Sequence, residues 1–342
     1  MPTKIAIMTK EERIAGFAKL AQAISQLGTN PQAELFSKAA NANPWFTQDN
    51  IEQAINGIVH FLRPATLSDW LSNYQLPQIT KKIGIIMAGN IPLVGFHDLL
   101  CVIMTGHKAV IKISSQDNIL LPAVLEMLLK INPKFDEQVL IVDKLSGVEA
   151  VIATGSDNSA RYFKKYFKNI PHIIRQNRTS IAVITGNETA EELQLLGDDI
   201  FNYFGLGCRN VAKIYVPSGY DMRLLLDALE GNDEVINHSK YFNNYEYNKA
   251  IYLVNKTPHL DTGYVLFTES SAAVSPLAVV YYEQYSDKQQ LLAKLATHSH
   301  KIQCIVSQST LIEEAIPLGK SQFPEIDDYA DNIDTMSFLC NL

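Results

Sequence analysis

The chain has 342 residues, 47% of them hydrophobic and 19% charged, with a formal net charge of −7. This length suits about two domains with a sizeable core, and the acidic balance offers no electrostatic footprint for nucleic acid. The cysteines Cys101, Cys208, Cys304 and Cys340 are widely scattered, with no CxxC pair and no zinc spacing, so neither a disulfide framework nor a metal site is indicated and a reducing, cytoplasmic setting is expected.

Met1 to Lys10 has only a short apolar patch and no signal-peptide layout. Helices are expected from there to about residue 75. Glu11 to Leu27 carries apolar residues at helical spacing and is ended by Gly28. A second helix opens with Asn30 as cap and Pro31 at its first position and runs to about Asn43. A third covers Thr47 to Leu62, with Asp49 or Thr47 as cap. Trp45 and Trp70, at its margins, read as packing anchors. At Lys82 the pattern changes. Ile83 to Met87 reads as a short buried strand, broken by Ala88-Gly-Asn-Ile-Pro92 and followed by a helix to Met104. Asn90, Pro92, His97 and Asp98 interrupt this apolar stretch, so a buried strand and a buried helix fit it better than a membrane span. Further strands are expected at Lys108–Ile113, Gln138–Val142, Val148–Ala153, His172–Ile174 and Ser180–Ile184, and helices over Asn118–Ile131 and from Thr154-Gly-Ser156 through Phe167. Such alternation predicts a mostly parallel sheet with helices on both faces, which binds ligands at the carboxyl ends of its strands. Beyond Gly186, Thr189 to Phe204 reads as an amphipathic helix. Strands are expected at Val211–Val216, Ala250–Val254, Ala278–Tyr282 and Ile302–Val306, and helices at Asp221–Glu230 and Asp287–His298. No linker, low-complexity stretch or repeat separates the two parts.

The stretch Phe204-Gly-Leu-Gly-Cys-Arg-Asn210 joins a predicted helix to a predicted strand. Two glycines leave little bulk on one side of Cys208, so a substrate carbonyl can approach its sulfur, and Arg209 can favour the nucleophilic thiolate. Read alone, the same residues describe a tight helix-to-strand connection equally well. The turn Thr154-Gly-Ser156 offers helix N-terminal amides to a phosphate, although no GxGxxG fingerprint occurs. Lys112, in Lys112-Ile-Ser-Ser115, ends the second strand, where it can reach ribose or phosphate oxygens. Asn90 follows the first strand and carries a neutral donor suited to an oxyanion. Taken singly, these residues read as an ordinary turn, a solvated lysine and a turn asparagine. His298-Ser-His300 reads as a solvated helix end, His238 as a structural histidine with an acid/base role as the rival, and Cys101 and Cys304 as core cysteines.

In chain order these pieces resemble the aldehyde dehydrogenase superfamily. Ala88-Gly-Asn-Ile-Pro-Leu93 is similar to its Asn-Phe-Pro turn, Val110-Ile-Lys-Ile-Ser114 to its Val-Leu-Lys-Pro-Ser, Thr154-Gly-Ser156 to its Thr-Gly-Ser, and Gly205-Leu-Gly-Cys208 to its catalytic Gly-Gln-Xaa-Cys. Val216-Pro217 matches the end of its next strand. Within the superfamily the chain more closely resembles the acyl-CoA reductases related to the fatty-acid reductase of bacterial bioluminescence. Phe204 to Val211, Asn43-Pro-Trp-Phe-Thr47, Lys240-Tyr-Phe-Asn-Asn-Tyr245, Gly319-Lys-Ser-Gln-Phe-Pro324, Asp328-Tyr-Ala-Asp331 and Asp334-Thr-Met-Ser-Phe-Leu339 carry that likeness.

The resemblance implies an α/β protein with a helical N-terminal region, a Rossmann-like cofactor domain over 1–185, an α/β catalytic domain over 186–310, and a tail, 311–342, packing back on the body. It implies NAD(P)H-dependent reduction of an acyl-CoA, of a fatty acyl class, to an aldehyde through an acyl-Cys208 intermediate, with Asn90 serving the oxyanion. Cofactor contacts are expected from Met87, Ala88, Lys112, Ser114, Ser115, Thr154, Gly155 and Ser156. NADPH is the expected cofactor and NADH its alternative; a homo-oligomer is compatible with this reading, and no metal, nucleic acid or membrane span is expected. An acyl-phosphate reductase of the same superfamily and a catalytically silent subunit of an acyl-transfer complex are the rival readings. Three departures stand out. The superfamily's water-activating Glu falls near Arg175-Gln-Asn-Arg178, which has no carboxylate. Its adenosine-ribose Glu is Ser115 here. Its Glu-Ile-Phe-Gly-Pro is degraded to Ala272-Ala-Val-Ser-Pro276.

Overall fold

The fold is described from a computed structural model covering residues 8–27 and 33–342. Gly28, Asn30 and Pro31, expected to end one helix and open the next, lie outside the described residues. The chain divides into two compact units, one running to Gln176 and taking up Glu325–Leu342 again, the other Asn177–Pro324.

The first unit opens with α1 (Lys10–Ser25), α2 (Ala33–Ala42), α3 (Gln48–Phe61) and α4 (Pro64–Ser72). Local chemistry sets their starts. Thr9 and Glu12 form a reciprocal capping box on α1, Thr47 accepts from the Asn50 amide to cap α3, and Pro64 stands in the first turn of α4. There follow β1 (Lys82–Ile86), α5 (Phe96–Met104), β2 (Lys108–Lys112), α6 (Leu120–Ile131), β3 (Val139–Ile141), β4 (Ala150–Thr154), α7 (Asp157–Tyr166) and β5 (His172–Arg175). The strands form one parallel sheet in the order β3-β2-β1-β4-β5. On one face, Ile83, Ile85, Ala109, Ile111 and Ile152 join the large core made with the N-terminal helices, α5 and α6. On the other, Val110, Val151 and Ala153 pack with Leu145 and Phe167. Burial on both faces explains why these strands read as continuous apolar runs rather than alternating ones.

The second unit holds β6 (Thr179–Val183), α8 (Ala190–Phe201), β7 (Val211–Pro217), α9 (Met222–Ala228), α10 (Ser239–Asn255), β8 (Leu260–Asp261), β9 (Leu266–Glu269), β10 (Val279–Tyr285), α11 (Lys288–His298) and β11 (Ile302–Val306). Its sheet has the order β11-β6-β7-β10-β9-β8, parallel except for β8. The chain then returns to the first unit, where α12 (Thr335–Cys340) packs on α5. Trp70 Nε1 donates to the Tyr329 hydroxyl at 2.8 Å, and a His107 ring nitrogen lies 3.0 Å from the Leu339 carbonyl oxygen.

Several sequence expectations change here. The boundary set at 185 gave Ser180–Ile184 to the cofactor domain, but β6 pairs with β7 and β11 in the second sheet, and the chain crosses between units at Gln176 and Asn177. The tail divides at Pro324 rather than starting whole at 311. Ala250–Val254, expected as a strand, is the last part of α10. Its β-forming composition is overridden because Tyr241, Tyr245 and Asn248 bury one helical face, while Leu253 and Val254 stay 60% and 81% exposed without a strand partner. The helices α4, α10 and α12 and the strands β8 and β9 were not resolved as elements by the sequence pattern. Among the described residues no helix is long and apolar enough to cross a membrane.

Candidate active site

Cys208 sits half-buried in the connection from α8 to β7. The backbone there is forced. Tyr203 and Phe204 take φ of 52° and 57°, and Gly205 follows at 78°. Left-handed backbone costs a residue with a side chain about 1–2 kcal/mol, so something must hold it. Asn210, 3% exposed, accepts from the Gly207 amide at 2.8 Å and donates to the carbonyls of Asn202 at 2.8 Å, Asp199 at 3.1 Å and Ile200 at 3.3 Å. One amide side chain thus ties the end of α8 to the turn carrying Cys208. From β6, the Ser180 hydroxyl donates to the Cys208 carbonyl at 3.1 Å and lies 3.0 Å from Cys304 Sγ. Cys304 is therefore half-buried beside the Cys208 loop, not the core cysteine expected.

Segment 319–321 braces the end of α8 and the loop. Buried Asp199 accepts from the amides of Gly319 at 2.7 Å and Ser321 at 2.9 Å. Gly319 is required there, since φ is +77° and a Cβ would come within 3.1 Å of Leu195. Burial pushes the Asp199 carboxyl up, against the lowering effect of those amides. Arg209 donates to the Ser321 carbonyl at 3.3 Å, so its guanidinium helps to brace this loop. His238 stands at the start of α10. Its Nδ1 accepts from the Tyr241 amide to cap α10, and its ring lies 4.2 Å from that of Phe204. Of the other thiols, Cys101 is fully buried and pushed well up by that burial and by Asp98. Cys340 is pushed up to about 11 by burial and Asp334. Asn210, Ser180 and Asp199 were missed in the sequence. The available signal was Asp199 on the apolar side of α8, where a buried carboxylate needs donors.

In the first unit, the predicted cofactor residues gather on one edge. Adjacent strands β4, β1 and β2 end in register, Ile86 beside both Lys112 and Ala153. Met87, Ala88, Lys112, Ser114 and Ser115 follow the ends of β1 and β2, and Thr154, Gly155 and Ser156 the end of β4. Met87 is buried, and Gly95 leaves room for it, since a Cβ there would meet its side chain at 2.8 Å. Gly89 likewise lets the turn close on Ser114, whose hydroxyl would lie 2.6 Å from a Cβ. The turn carrying half-buried Asn90 is pinned by buried Asp117, which accepts from the Leu93 amide at 2.9 Å and from Leu121 at the start of α6. Leu93 is held there at φ 56°. Ser156 spends its hydroxyl capping α7, accepting from Ser159 at 3.3 Å. Beside Lys112 opens a cleft of about 540 Å³.

The stretch where the superfamily places its water-activating Glu is filled by cations with partners. Arg175 Nη1 donates to both Asp98 oxygens at 2.6 and 2.5 Å, and Nη2 donates to Thr335 at 2.7 Å. Arg178 donates to the Ile302 carbonyl at 2.9 Å. Among the described residues no cluster of three or more metal-ligating side chains occurs.

The family model for acyl-CoA reductase (LuxC) matches residues 22–229. The chain belongs to the acyl-CoA reductase (LuxC) family. It is thus an oxidoreductase of the aldehyde/oxo class. Its fold is that of aldehyde dehydrogenases. An indole-3-acetaldehyde dehydrogenase solved with NAD+ is similar at a TM-score of 0.64 and 12% identity, over 84% of this chain and 70% of that one. An aldehyde dehydrogenase from Bacillus cereus in its NAD+ complex is similar at a TM-score of 0.63 and 15% identity, over 88% and 72%. One from Mycobacterium tuberculosis complexed with NAD+ is similar at 0.63 and 13%, over 86% and 72%. No curated protein matches the chain in sequence.

Proposed function

We propose that this acyl-CoA reductase family member converts an acyl-CoA to an aldehyde through a thioester on Cys208. The observation that carries the reading is the Cys208 turn, a strained loop held by Asn210, Ser180 and the 319–321 brace. Such restraint makes sense for a sulfur that must meet a carbonyl along one approach. The Cys208 thiolate attacks the thioester carbon, and the oxyanion is stabilised by the Asn90 amide and the Cys208 N–H. Collapse expels CoA as its thiolate and leaves the acyl group on sulfur. A reduced nicotinamide, when bound, supplies hydride to that acyl carbon, and the Cys208 thiolate then leaves as the aldehyde departs. The edge formed by Met87, Ala88, Lys112, Ser114 and Ser115, with the α7 N-terminus at Thr154, Gly155 and Ser156, fits a dinucleotide, since it joins strand carboxyl ends to helix amides. Ser115 in place of a carboxylate, beside Lys112, favours NADPH over NADH.

The test is intact mass after incubation with an acyl-CoA and no cofactor. One acyl unit should be added, lost in Cys208→Ala and kept in Cys101→Ala and Cys304→Ala. Asn90→Ala should slow that acylation by about 10²- to 10³-fold. Labelling that persists in Cys208→Ala sinks the mechanism.

A further inference from the structure

α10 is buried along one side only. Tyr241, Tyr245 and Asn248 face the body of its unit, and the opposite side meets solvent. At 3.6 residues per turn that outward side carries Asn243, Glu246, Tyr247, Ala250, Leu253 and Val254. Its N-terminal half is polar, as suits a solvated helix face. Its C-terminal half is not. Tyr247, Leu253 and Val254 are 67%, 60% and 81% exposed, with exposed Ala250 among them. Apolar residues scattered singly over a surface need no explanation, but a contiguous stripe on one helix marks a surface that another body covers. Charges bound the stripe. Exposed Glu246 precedes it, and exposed Lys256, at the left-handed cap of α10, follows it. Neither makes an ion pair among the described residues.

We propose that this stripe is an interface between two copies of the chain, with α10 packing antiparallel on α10 about a two-fold axis at Ala250. In that arrangement the stripe is complementary to itself. An axis at Ala250 sets Tyr247 of one copy against Val254 of the other, and the reverse, so the apolar halves cover each other and the polar halves stay in water. Ala250, the smallest residue of the stripe, sits where the backbones come nearest and lets the helix axes approach to about 8 Å. The same register pairs the charges. Glu246 lies about 6 Å before the axis and Lys256 about 9 Å beyond it, at 1.5 Å per residue. Each Glu246 therefore comes within side-chain reach of Lys256 in the other copy, twice per dimer. A parallel pair would set Glu246 against Glu246 and Lys256 against Lys256, which repels. This match of shape and charge to itself is what selects a second copy as the occupant. One helix face is a small interface, so a concentration-dependent dimer with a Kd of about 1–100 μM is expected. The inference is independent of the acyl-transfer reading.

The experiment is sedimentation equilibrium of the full chain from about 1 to 200 μM, with circular dichroism to show that each variant keeps its fold. All the substitutions are at exposed positions. Wild type should pass from monomer to dimer over that range. Ala250→Glu brings two carboxylates to the axis and should weaken the dimer by about tenfold or more. Glu246→Lys should weaken it by about fivefold, and adding Lys256→Glu should restore it, since the swap rebuilds both pairs. Under mild oxidation Ala250→Cys should give a cross-linked dimer that wild type and Asn243→Cys do not, because only at the axis does a residue meet its own copy. A monomer at every concentration overturns the proposal. So does a dimer that Ala250→Glu leaves intact, a swap that stays as weak as Glu246→Lys alone, or cross-linking of Asn243→Cys as readily as of Ala250→Cys.

Discussion

Replacing Asp98 by alanine probes what holds the first unit together at its sheet edge. The Arg175 and Asp98 side chains are 5% and 9% exposed. Burial alone would lower the guanidinium's affinity for its proton, and the Asp98 carboxylate more than offsets that, so Arg175 stays charged. In Asp98→Ala the guanidinium keeps its bond to Thr335, loses both carboxylate contacts, and already has a buried Nε without a partner. Stranding one half of a buried ion pair costs about 3–5 kcal/mol, a large part of the roughly 5–15 kcal/mol that stabilises a domain. With a urea dependence of about 2 kcal/mol per molar, the midpoint should fall by about 2 M. The chain's two tryptophans, Trp45 and Trp70, both lie in this unit, so tryptophan fluorescence follows its unfolding alone. The double variant Asp98→Leu with Arg175→Met removes both charges and should recover most of the loss, since an apolar pair of similar volume is often neutral or better. A midpoint shift below about 0.5 M in Asp98→Ala, or a double variant no more stable than the single, refutes this reasoning.

The other expectations concern chemistry and the second unit. Acyl-Cys208 formed without cofactor should release little free acid, because a positioned base typically contributes about 10²- to 10⁴-fold and Arg175, Gln176, Asn177 and Arg178 supply none. Hydrolysis rivalling aldehyde formation would point to another base, with Glu269 and His238 the first to replace. Asn210→Ala should cut kcat by about 10²-fold with a smaller change in KM, since it releases the turn that aims the sulfur; an unchanged kcat means that the clamp does not position Cys208. Glu283 joins buried Lys213 to Lys294. Burial pushes its carboxyl up, but the two ammonium groups outweigh this and hold it below the ordinary 4.5. Its contribution is therefore present above about pH 4.5 and lost as pH falls through the lowered value. Glu283→Gln should destabilise the unit by about 3 kcal/mol and flatten that acid limb, read as faster hydrogen exchange in β7 and β10 peptides. Unchanged exchange there would mean that Lys213 does not depend on Glu283.

Local patterns were enough for most elements. Strands buried on both faces are apolar throughout, caps such as Thr47 and Asp287 hold their helices through neighbouring amides, and Cys208 stands out by its glycines; all are short-range signals. The order of motifs carried the family for the same reason, since each motif is a contiguous run. Only the tertiary structure decided the rest. Ser180–Ile184 reads as a strand in either sheet, and its hydrogen-bond partners from β7 and β11, up to about 120 residues away, made the choice. Ala250–Val254 has a strand's composition, but packing of Tyr241 and Tyr245 kept it helical. Asn210 and Asp199 look like ordinary polar residues until the fold shows them buried against backbone groups that need partners. Burial and long-range pairing are properties of the folded chain, so residues whose roles depend on them are named only once it has folded.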